Sequence, residues 1–167
     1  GPPRGGWNDF SKMKPAADYE ILYGHNLITS SSSEWPRYVA VSSPTAYRVT
    51  EPHFTRQPEA VTFAESMDFG YLKRLTSEVP DDVDIVVGIG GGLALDASKY
   101  VALAKGLPLV LVPTIVSTGA IIHSVFAEWE GRNLGNTENW PWLVADYVLV
   151  AYDVVLSAPD HLNTAGI

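Results

Sequence analysis

A run of three glycines between an apolar strand and an apolar helix is the feature that most constrains this 167-residue chain. Residues 84–89, Asp-Ile-Val-Val-Gly-Ile, have the β-branched character of a buried strand, and the glycines at 90–92 interrupt it. Residues 93–105 have the composition of a helix that Gly106 ends. A second apolar run, at 109–112, lies between two prolines. A strand, a helix and a strand with short links predict a βαβ unit, in which the two strands are parallel.

The rest of the chain extends this unit into one sheet. Further strands are predicted at residues 19–24, 37–41, 124–130 and 146–150. A helix is predicted at 68–78, with Asp68 as its cap. Residues 42–44, Ser-Ser-Pro, predict a turn that ends the second strand, and residues 45–60 give no clear prediction. The fold class that follows is α/β, an open, mostly parallel Rossmann-like sheet with flanking helices.

Composition excludes several classes of protein. The 19 acidic residues outnumber the 11 Lys and Arg, which gives a net charge of −8 and argues against nucleic-acid binding. The chain has no cysteine, so disulfides, thiolate metal sites and cysteine nucleophiles are excluded, and a reducing, cytoplasmic location is expected. An apolar run of about 18 residues is absent from the sequence, so no membrane span is predicted.

The glycine run is a candidate anion site. Because Gly90, Gly91 and Gly92 have no side chains, the backbone there can approach a diphosphate closely, and the N–H groups and dipole of the following helix stabilise its charge. Asp96 and Lys99 lie three residues apart and share one helix face near that end. The alternative is a tight turn that needs glycine for its geometry only, since the spacing departs from G-x-G-x-x-G.

A second group of polar residues follows the next strand. Thr114, Ser117 and Thr118 can offer hydroxyls to a phosphate, a ribose or a nicotinamide. In an open parallel sheet the ligand crevice lies outside the carboxyl ends of the strands, so this loop and the glycine run are expected to face the same crevice. The alternative is an ordinary solvated loop, because serine and threonine are common in loops.

Taken together, the two segments form one pattern. A strand is followed by Gly-Gly-Gly-x-x-x-Asp-x-x-Lys, a second strand, and Pro-Thr-x-x-Ser-Thr-x-Ala at 113–120. The pattern resembles the superfamily of glycerol dehydrogenase, sn-glycerol-1-phosphate dehydrogenase, iron-containing alcohol dehydrogenases and dehydroquinate synthase. The resemblance covers about residues 19–167 and is most specific at 84–120. Residues 128–132, Glu-Trp-Glu-Gly-Arg, resemble the glycerol-1-phosphate branch.

The resemblance implies two domains with different functions. The family's first domain binds NAD or NADP, and a helical second domain completes a zinc or iron site between them. By this resemblance, residues 90–92 hold the pyrophosphate, and Asp96 and Lys99 line the crevice. Three hydroxyls would contact the nicotinamide side: Thr114, Ser117 and Thr118.

The same resemblance divides this chain into three segments. Residues 1–18 are expected to be a disordered leader, 19–160 the dinucleotide-binding domain, and 161–167 the start of a truncated second domain that is otherwise absent. The face that this second domain would cover is expected to drive self-association or association with a partner segment.

The chain departs from the family at the metal. Gly119 stands where the family has a metal-ligating aspartate, and the family's two metal-binding histidines lie in the second domain. His123 is a weak substitute, so no metal site is predicted for this chain. The family's usual aspartate after the late strand corresponds to Ala151, and Asp153 fits a second acidic position.

These observations predict the cofactor-binding half of a metal-dependent NAD(P)-linked dehydrogenase that acts on a polyol or polyol phosphate. The alternatives are a lyase like dehydroquinate synthase and a catalytically inactive nucleotide-binding fragment. The chain alone is expected to show negligible turnover. Residues 42–45 carry no carboxylate to exclude a ribose 2′-phosphate, and Arg48 is nearby, so the sequence permits NADP.

Overall fold

The computed structural model describes residues 20–114 and 147–157 of the chain, with side chains described to residue 155. The elements, in chain order, are β1 (Glu20–Gly24), α1 (Leu27–Ser32), β2 (Tyr38–Ser42), α2 (Pro44–Thr50), a 3-10 turn (Glu51–His53), β3 (Ala60–Phe63), α3 (Phe69–Ser77), β4 (Ile85–Gly90), α4 (Gly92–Lys105), β5 (Leu109–Pro113), β6 (Tyr147–Ala151) and α5 (Tyr152–Ser157).

The strands form one six-stranded sheet in the order β1-β6-β5-β4-β2-β3. Every described strand pair is parallel, which confirms the predicted α/β class and sharpens "mostly parallel" to wholly parallel in this part of the chain. The order reverses between β2 and β4, because β3 extends the sheet on one side and β5 on the other. Open parallel sheets bind ligands at the carboxyl ends of the strands where the order reverses.

Side chains alternate along the strands into two cores, one on each face of the sheet. On β4, Val86 belongs to the core under α3 and α4. Ile85, Val87 and Ile89 belong to the core under α1, α2 and α5. Because β2, β4 and β5 are buried on both faces, they read as continuous apolar runs in the sequence.

Local sequence signals set the limits of the two helices that were predicted. The Asp68 carboxylate accepts a hydrogen bond of 3.2 Å from the backbone N–H of Tyr71 and caps α3, as predicted. At the other end of the pattern, Gly106 adopts a left-handed conformation with φ of 67° and ends α4.

Among the described elements, three α-helices and one strand were not predicted: α1, α2, α5 and β3. The polar segment that precedes β2 is helix α1, in which the Ser30, Ser32 and Ser33 hydroxyls donate to carbonyl groups three residues earlier. Residues 42–44 are not the predicted turn, because Ser43 caps α2 and Pro44 is its first residue. Proline is favoured there because the first N–H of a helix has no intrahelical partner. Strand β3, at the sheet edge, also lies in a region without a clear prediction.

The predictions made for residues 1–18, 124–130 and 161–167 lie outside the described residues. Within the part of the chain that the structure describes, no helix is long and apolar enough to cross a membrane.

Candidate functional site

The loops that follow β2, β4 and β5 meet where the strand order reverses. The Ser42 hydroxyl at the end of β2 donates a buried hydrogen bond of 2.8 Å to the carbonyl of Ile89 on β4. On the other side of β4, the N–H of Thr114 donates to the Gly90 carbonyl at 3.1 Å. Hydrogen bonds therefore fix the mouth of the crevice on both sides of the glycine run.

The glycines at the end of β4 and the start of α4 differ in how much space a side chain would have. A Cβ on Gly88 would lie 2.6 Å from the Cβ of Ser98, so glycine lets α4 pack directly on β4. Gly90 has φ of 141° and lies where a Cβ would be 3.1 Å from the Cβ of Ala94. Gly92 is exposed, and a Cβ there would have no neighbour within 4 Å among the described residues outside its own helix backbone. Packing therefore requires glycine at 88 and 90, whereas at 92 its absence of a side chain leaves open space.

The amino end of α4 offers backbone donors to that space. Gly91 caps the helix without a side-chain hydrogen bond, and the first helical bond is donated by Leu95 to the Gly91 carbonyl at 3.0 Å. The N–H groups of residues 92–94 thus precede the first intrahelical donor. The first turn has no acidic residue to oppose an anion. This combination of donors, helix dipole and open space fits a diphosphate.

Asp96 and Lys99 form an ion pair on the next turn of α4. The Lys99 Nζ lies 3.4 Å from Asp96 Oδ1, with the lysine side chain fully buried and the aspartate 6% exposed. A buried pair is held in a fixed geometry because separating its charges in the interior is costly. Their predicted contact with a ligand stays a prediction.

Of the three residues predicted to offer hydroxyls to the cofactor, only Thr114 is among the described residues. Thr114 is 3% exposed and directly follows β5. Ser117, Thr118, Gly119 and His123 lie outside the described residues. Within 20–114 and 147–157, no group of three or more histidines and carboxylates is arranged to hold a metal ion.

The segment after β2 lies on the other side of the glycine run. A Cβ on Gly90 would be 3.4 Å from the Cβ of Ala46, which lies in α2. Arg48 is exposed in the same helix. Residues 42–45 contribute hydroxyls and a proline to this side but no carboxylate.

Sequence reasoning did not find a polar cluster that follows β1 and β6, at the carboxyl ends of these strands. The His25 Nδ1 lies 2.9 Å from Asp153 Oδ1, and the Asn26 N–H donates to Asp153 Oδ2 at 2.7 Å. Asn26 has φ of 55°, a conformation in which asparagine is enriched. The hydrogen bond from His25, followed by that from the Asn26 N–H, lowers the pKa of Asp153. An acidic residue at 153 was the available signal, but its partner is 128 positions away.

Comparisons with known proteins agree with this architecture. The family model described as iron-containing alcohol dehydrogenase matches residues 39–159. A glycerol dehydrogenase of Thermotoga maritima is 39% identical over 101 residues, 57% of this chain and 26% of the relative. The glycerol-1-phosphate dehydrogenase [NAD(P)+] of Haloarcula marismortui is 30% identical over 138 residues, 78% of this chain and 38% of the relative.

A solved structure shows the same fold. The iron-containing alcohol dehydrogenase of Corynebacterium glutamicum superposes with a TM-score of 0.67 at 16% identity and covers 95% of this chain and 47% of its own. The chain thus spans less than half the length of each of these three proteins.

Proposed function

Since this chain belongs to the iron-containing alcohol dehydrogenase family, we propose that it is the NAD(P)-binding part of a metal-dependent polyol or polyol-phosphate dehydrogenase. The observation that carries the proposal is the open amino end of α4 at the point where the strand order reverses. The names of the relatives, a glycerol dehydrogenase and a glycerol-1-phosphate dehydrogenase [NAD(P)+], support the substrate class and the cofactor.

In this proposal the backbone binds the cofactor and the side chains orient it. The N–H groups at residues 90–92 and the first turn of α4 hold the diphosphate. The Asp96–Lys99 pair lines the crevice, and Thr114 contributes its hydroxyl toward the nicotinamide together with Ser117 and Thr118. When bound, the nicotinamide supplies the hydride for the reduction of a carbonyl group.

The metal enters the proposal through the family alone. Zinc or iron is expected for the full-length family, but the described residues offer no cluster of ligands for one. Gly119 has no side-chain oxygen at the position where the family's aspartate binds. We expect negligible turnover from residues 1–167 by themselves.

The choice between NAD and NADP depends on the segment beside the glycine run. In dinucleotide-binding folds a carboxylate near this position binds the ribose 2′-hydroxyl, and an arginine accommodates a 2′-phosphate. Residues 42–45 lack the carboxylate, and α2 presents an exposed Arg48. We therefore propose that the chain accepts NADP as well as NAD.

The binding of cofactor is tested by a substitution that the fold tolerates. Gly92→Ala adds a methyl group that meets no described side chain within 4 Å, so the free energy of unfolding should stay unchanged or rise slightly. The same methyl group would occupy the space of the diphosphate. We expect the Kd for NADH or NADPH, measured by cofactor fluorescence, to rise at least about tenfold, or about 1.4 kcal/mol.

The matched control lies at the other end of the same helix. Ala104→Gly, at an exposed position, should lower the free energy of unfolding by about 1 kcal/mol and leave cofactor affinity unchanged. Equal cofactor affinity of Gly92→Ala and the wild type would overturn the proposed diphosphate site. Turnover of glycerol, glycerol 1-phosphate or dihydroxyacetone phosphate by this chain with added Zn²⁺ would overturn the expectation of inactivity.

We also propose that the chain self-associates through the carboxyl edge of the sheet. Two large apolar side chains are exposed there, Leu93 at 43% and Tyr152 at 39%, in the first turns of α4 and α5. Size-exclusion chromatography should show a species larger than a monomer, whereas a clean monomer at high concentration would contradict this expectation.

A further inference from the structure

The polar cluster of His25, Asn26 and Asp153 lies on the same edge of the sheet as the glycine run. His25 follows β1 and Asp153 begins α5 after β6, and the two strands are in register at Gly24 and Ala151. β6 and β1 are two and three strands from β4, so the carboxyl ends that carry Asp153 and His25 lie about 10 Å and about 14 Å along the edge at the usual strand spacing. The cluster is therefore within the reach of a ligand that begins at the glycine run.

The cluster holds one imidazole in a defined orientation. An ionised carboxylate can only accept hydrogen bonds, so His25 donates its Nδ1–H to Asp153 across 2.9 Å. The second oxygen of Asp153 accepts the Asn26 N–H, which fixes the carboxylate in turn. The Nε2 of the same ring is then the atom left for a ligand, and the side chain is 67% exposed.

The other groups around the imidazole are compatible with this orientation. The edge of the Tyr152 ring meets the His25 ring at a centroid distance of 5.3 Å and an angle of 70°. The imidazole of His53, in the 3-10 turn, contributes with that of His25 to the lowered pKa of Asp153. A carboxylate that orients a histidine so that its far nitrogen faces a reactant is a recurrent arrangement for proton transfer.

The direction of the cofactor brings the reactant to this cluster, and this step rests on the proposed function. The proposed function puts the adenosine ribose beside Arg48 of α2, on the β2 side of the glycine run. With the diphosphate at β4, the nicotinamide half extends the opposite way, toward β5 and β6. A substrate beside the nicotinamide would then lie between Thr114 and His25.

We propose that His25 is the proton donor and acceptor for the reacting oxygen of the substrate, with Asp153 as its positioning residue. In reduction, hydride adds to the carbonyl carbon, the π electrons move to oxygen, and oxygen takes the proton from Nε2 of the imidazolium. The imidazole keeps its Nδ1–H on Asp153 and regains the Nε2 proton from water. In oxidation, the neutral Nε2 accepts the hydroxyl proton as hydride leaves the carbon.

The test measures the ¹⁵N chemical shifts of the His25 imidazole, so it does not depend on turnover. In ¹⁵N NMR spectra of the chain, neutral His25 should be the Nδ1–H tautomer, and Asp153→Leu should abolish that preference. A dead-end complex is made with oxidised cofactor and a carbonyl ligand, either dihydroxyacetone or its phosphate. It should shift the His25 Nε2 resonance, whereas oxidised cofactor alone should not.

Two further variants complete the design. His25→Gln should bind cofactor as the wild type does and lose affinity for the carbonyl ligand in the dead-end complex. His53→Gln is the matched control: it removes a neighbouring imidazole but keeps the backbone carbonyl that accepts from the Thr29 hydroxyl at 2.8 Å, and it should retain that affinity.

The outcomes separate the two proposals. Cofactor binding with an unperturbed His25 Nε2 in the dead-end complex overturns the role of His25 and leaves the proposed function standing. An Nδ1–H tautomer that survives in Asp153→Leu overturns the positioning role of Asp153. An absence of cofactor fluorescence change in the wild-type chain overturns the proposed function, and with it the reaction that His25 would serve.

Discussion

The glycine run follows a central strand of the sheet, whereas the His25 cluster follows the outer strand β1 and its neighbour β6, and the two sites are built in opposite ways. The first consists of backbone that is contiguous in sequence, and its environment is closed by small residues of α2 and α4. The second consists of side chains that lie 128 positions apart and meet only because β1 pairs with β6. A site made of contiguous backbone can be found from a sequence pattern, whereas a site made of distant side chains requires the topology.

The two regions also differ in how deeply they are embedded. Every residue of β4 is buried, and both cores contain its side chains. β1 is an edge strand whose residues are half-buried or exposed. Substitutions at the buried Gly88 and Gly90 should therefore lower the free energy of unfolding, while substitutions in the His25 cluster should affect local structure and its pH dependence.

The largest expected effect is on stability, at Gly88. Gly88→Ala places a methyl group 2.6 Å from the Cβ of Ser98, so α4 must move away from β4. We expect the free energy of unfolding, measured in urea, to fall by about 1–3 kcal/mol. Gly92→Ala is the control on the same turn. Equal stability of the two variants would show that α4 does not pack closely on β4.

An effect of similar size is expected on the choice between NADP and NAD. Arg48→Ala removes an exposed guanidinium from α2, the helix that packs beside Gly90. If Arg48 contacts the 2′-phosphate, NADPH should lose about 1.5–3 kcal/mol of binding free energy, about ten- to 150-fold in Kd, with NADH unaffected. Arg74→Ala, on α3, is the control, because that guanidinium lies over the Tyr71 ring, away from the crevice. An equal loss for NADPH and NADH, or no loss, would remove Arg48 from cofactor recognition.

The smallest effect is expected in the edge cluster and depends on pH. Because the pKa of Asp153 is lowered from its ordinary value of 3.8, the ionised carboxylate stabilises the folded chain at pH values above that value. This contribution is lost as the pH falls through the lower folded-state pKa. The melting temperature of Asp153→Asn should thus lie slightly below that of the wild type near neutral pH, and the difference should vanish in strong acid.

A second carboxylate serves as the control for this pH dependence. Asp82→Asn removes an exposed ion pair, 3.5 Å from Arg37, which should contribute little at any pH. A constant difference between Asp153→Asn and the wild type across the acid range would mean that the ionisation of Asp153 is not coupled to folding.

The sequence was most informative where one element has one strong local signal. The strand, helix and strand around the glycine run were predicted to within one or two residues, because burial on both faces and the Gly106 cap leave few alternatives. Helices α1 and α2 were missed for a physical reason. Their serines and threonines have weak helix propensity, and the helices exist because Leu27, Ile28 and Ala46 pack on the sheet.

In the candidate site, too, only features with a local signal could be predicted from the sequence. The open space at Gly92 follows from a missing side chain, which a sequence displays directly. The close packing that requires Gly88 depends on Ser98 facing it, and the orientation of His25 depends on the partner strand of β1. Neither relation has a local signal, because each joins residues that only the folded topology brings together.

The pairing of β1 with β6 has a consequence for how the chain is made. A ribosome releases β1 early, yet the strand that completes its ladder emerges only after every other strand of the described sheet. Contacts between such distant segments form slowly and leave an early strand exposed to other partners in the meantime. The His25 imidazole reaches the Asp153 carboxylate only when β1 pairs with β6. The tautomer of His25 seen by NMR would therefore also report that this last strand pair has formed.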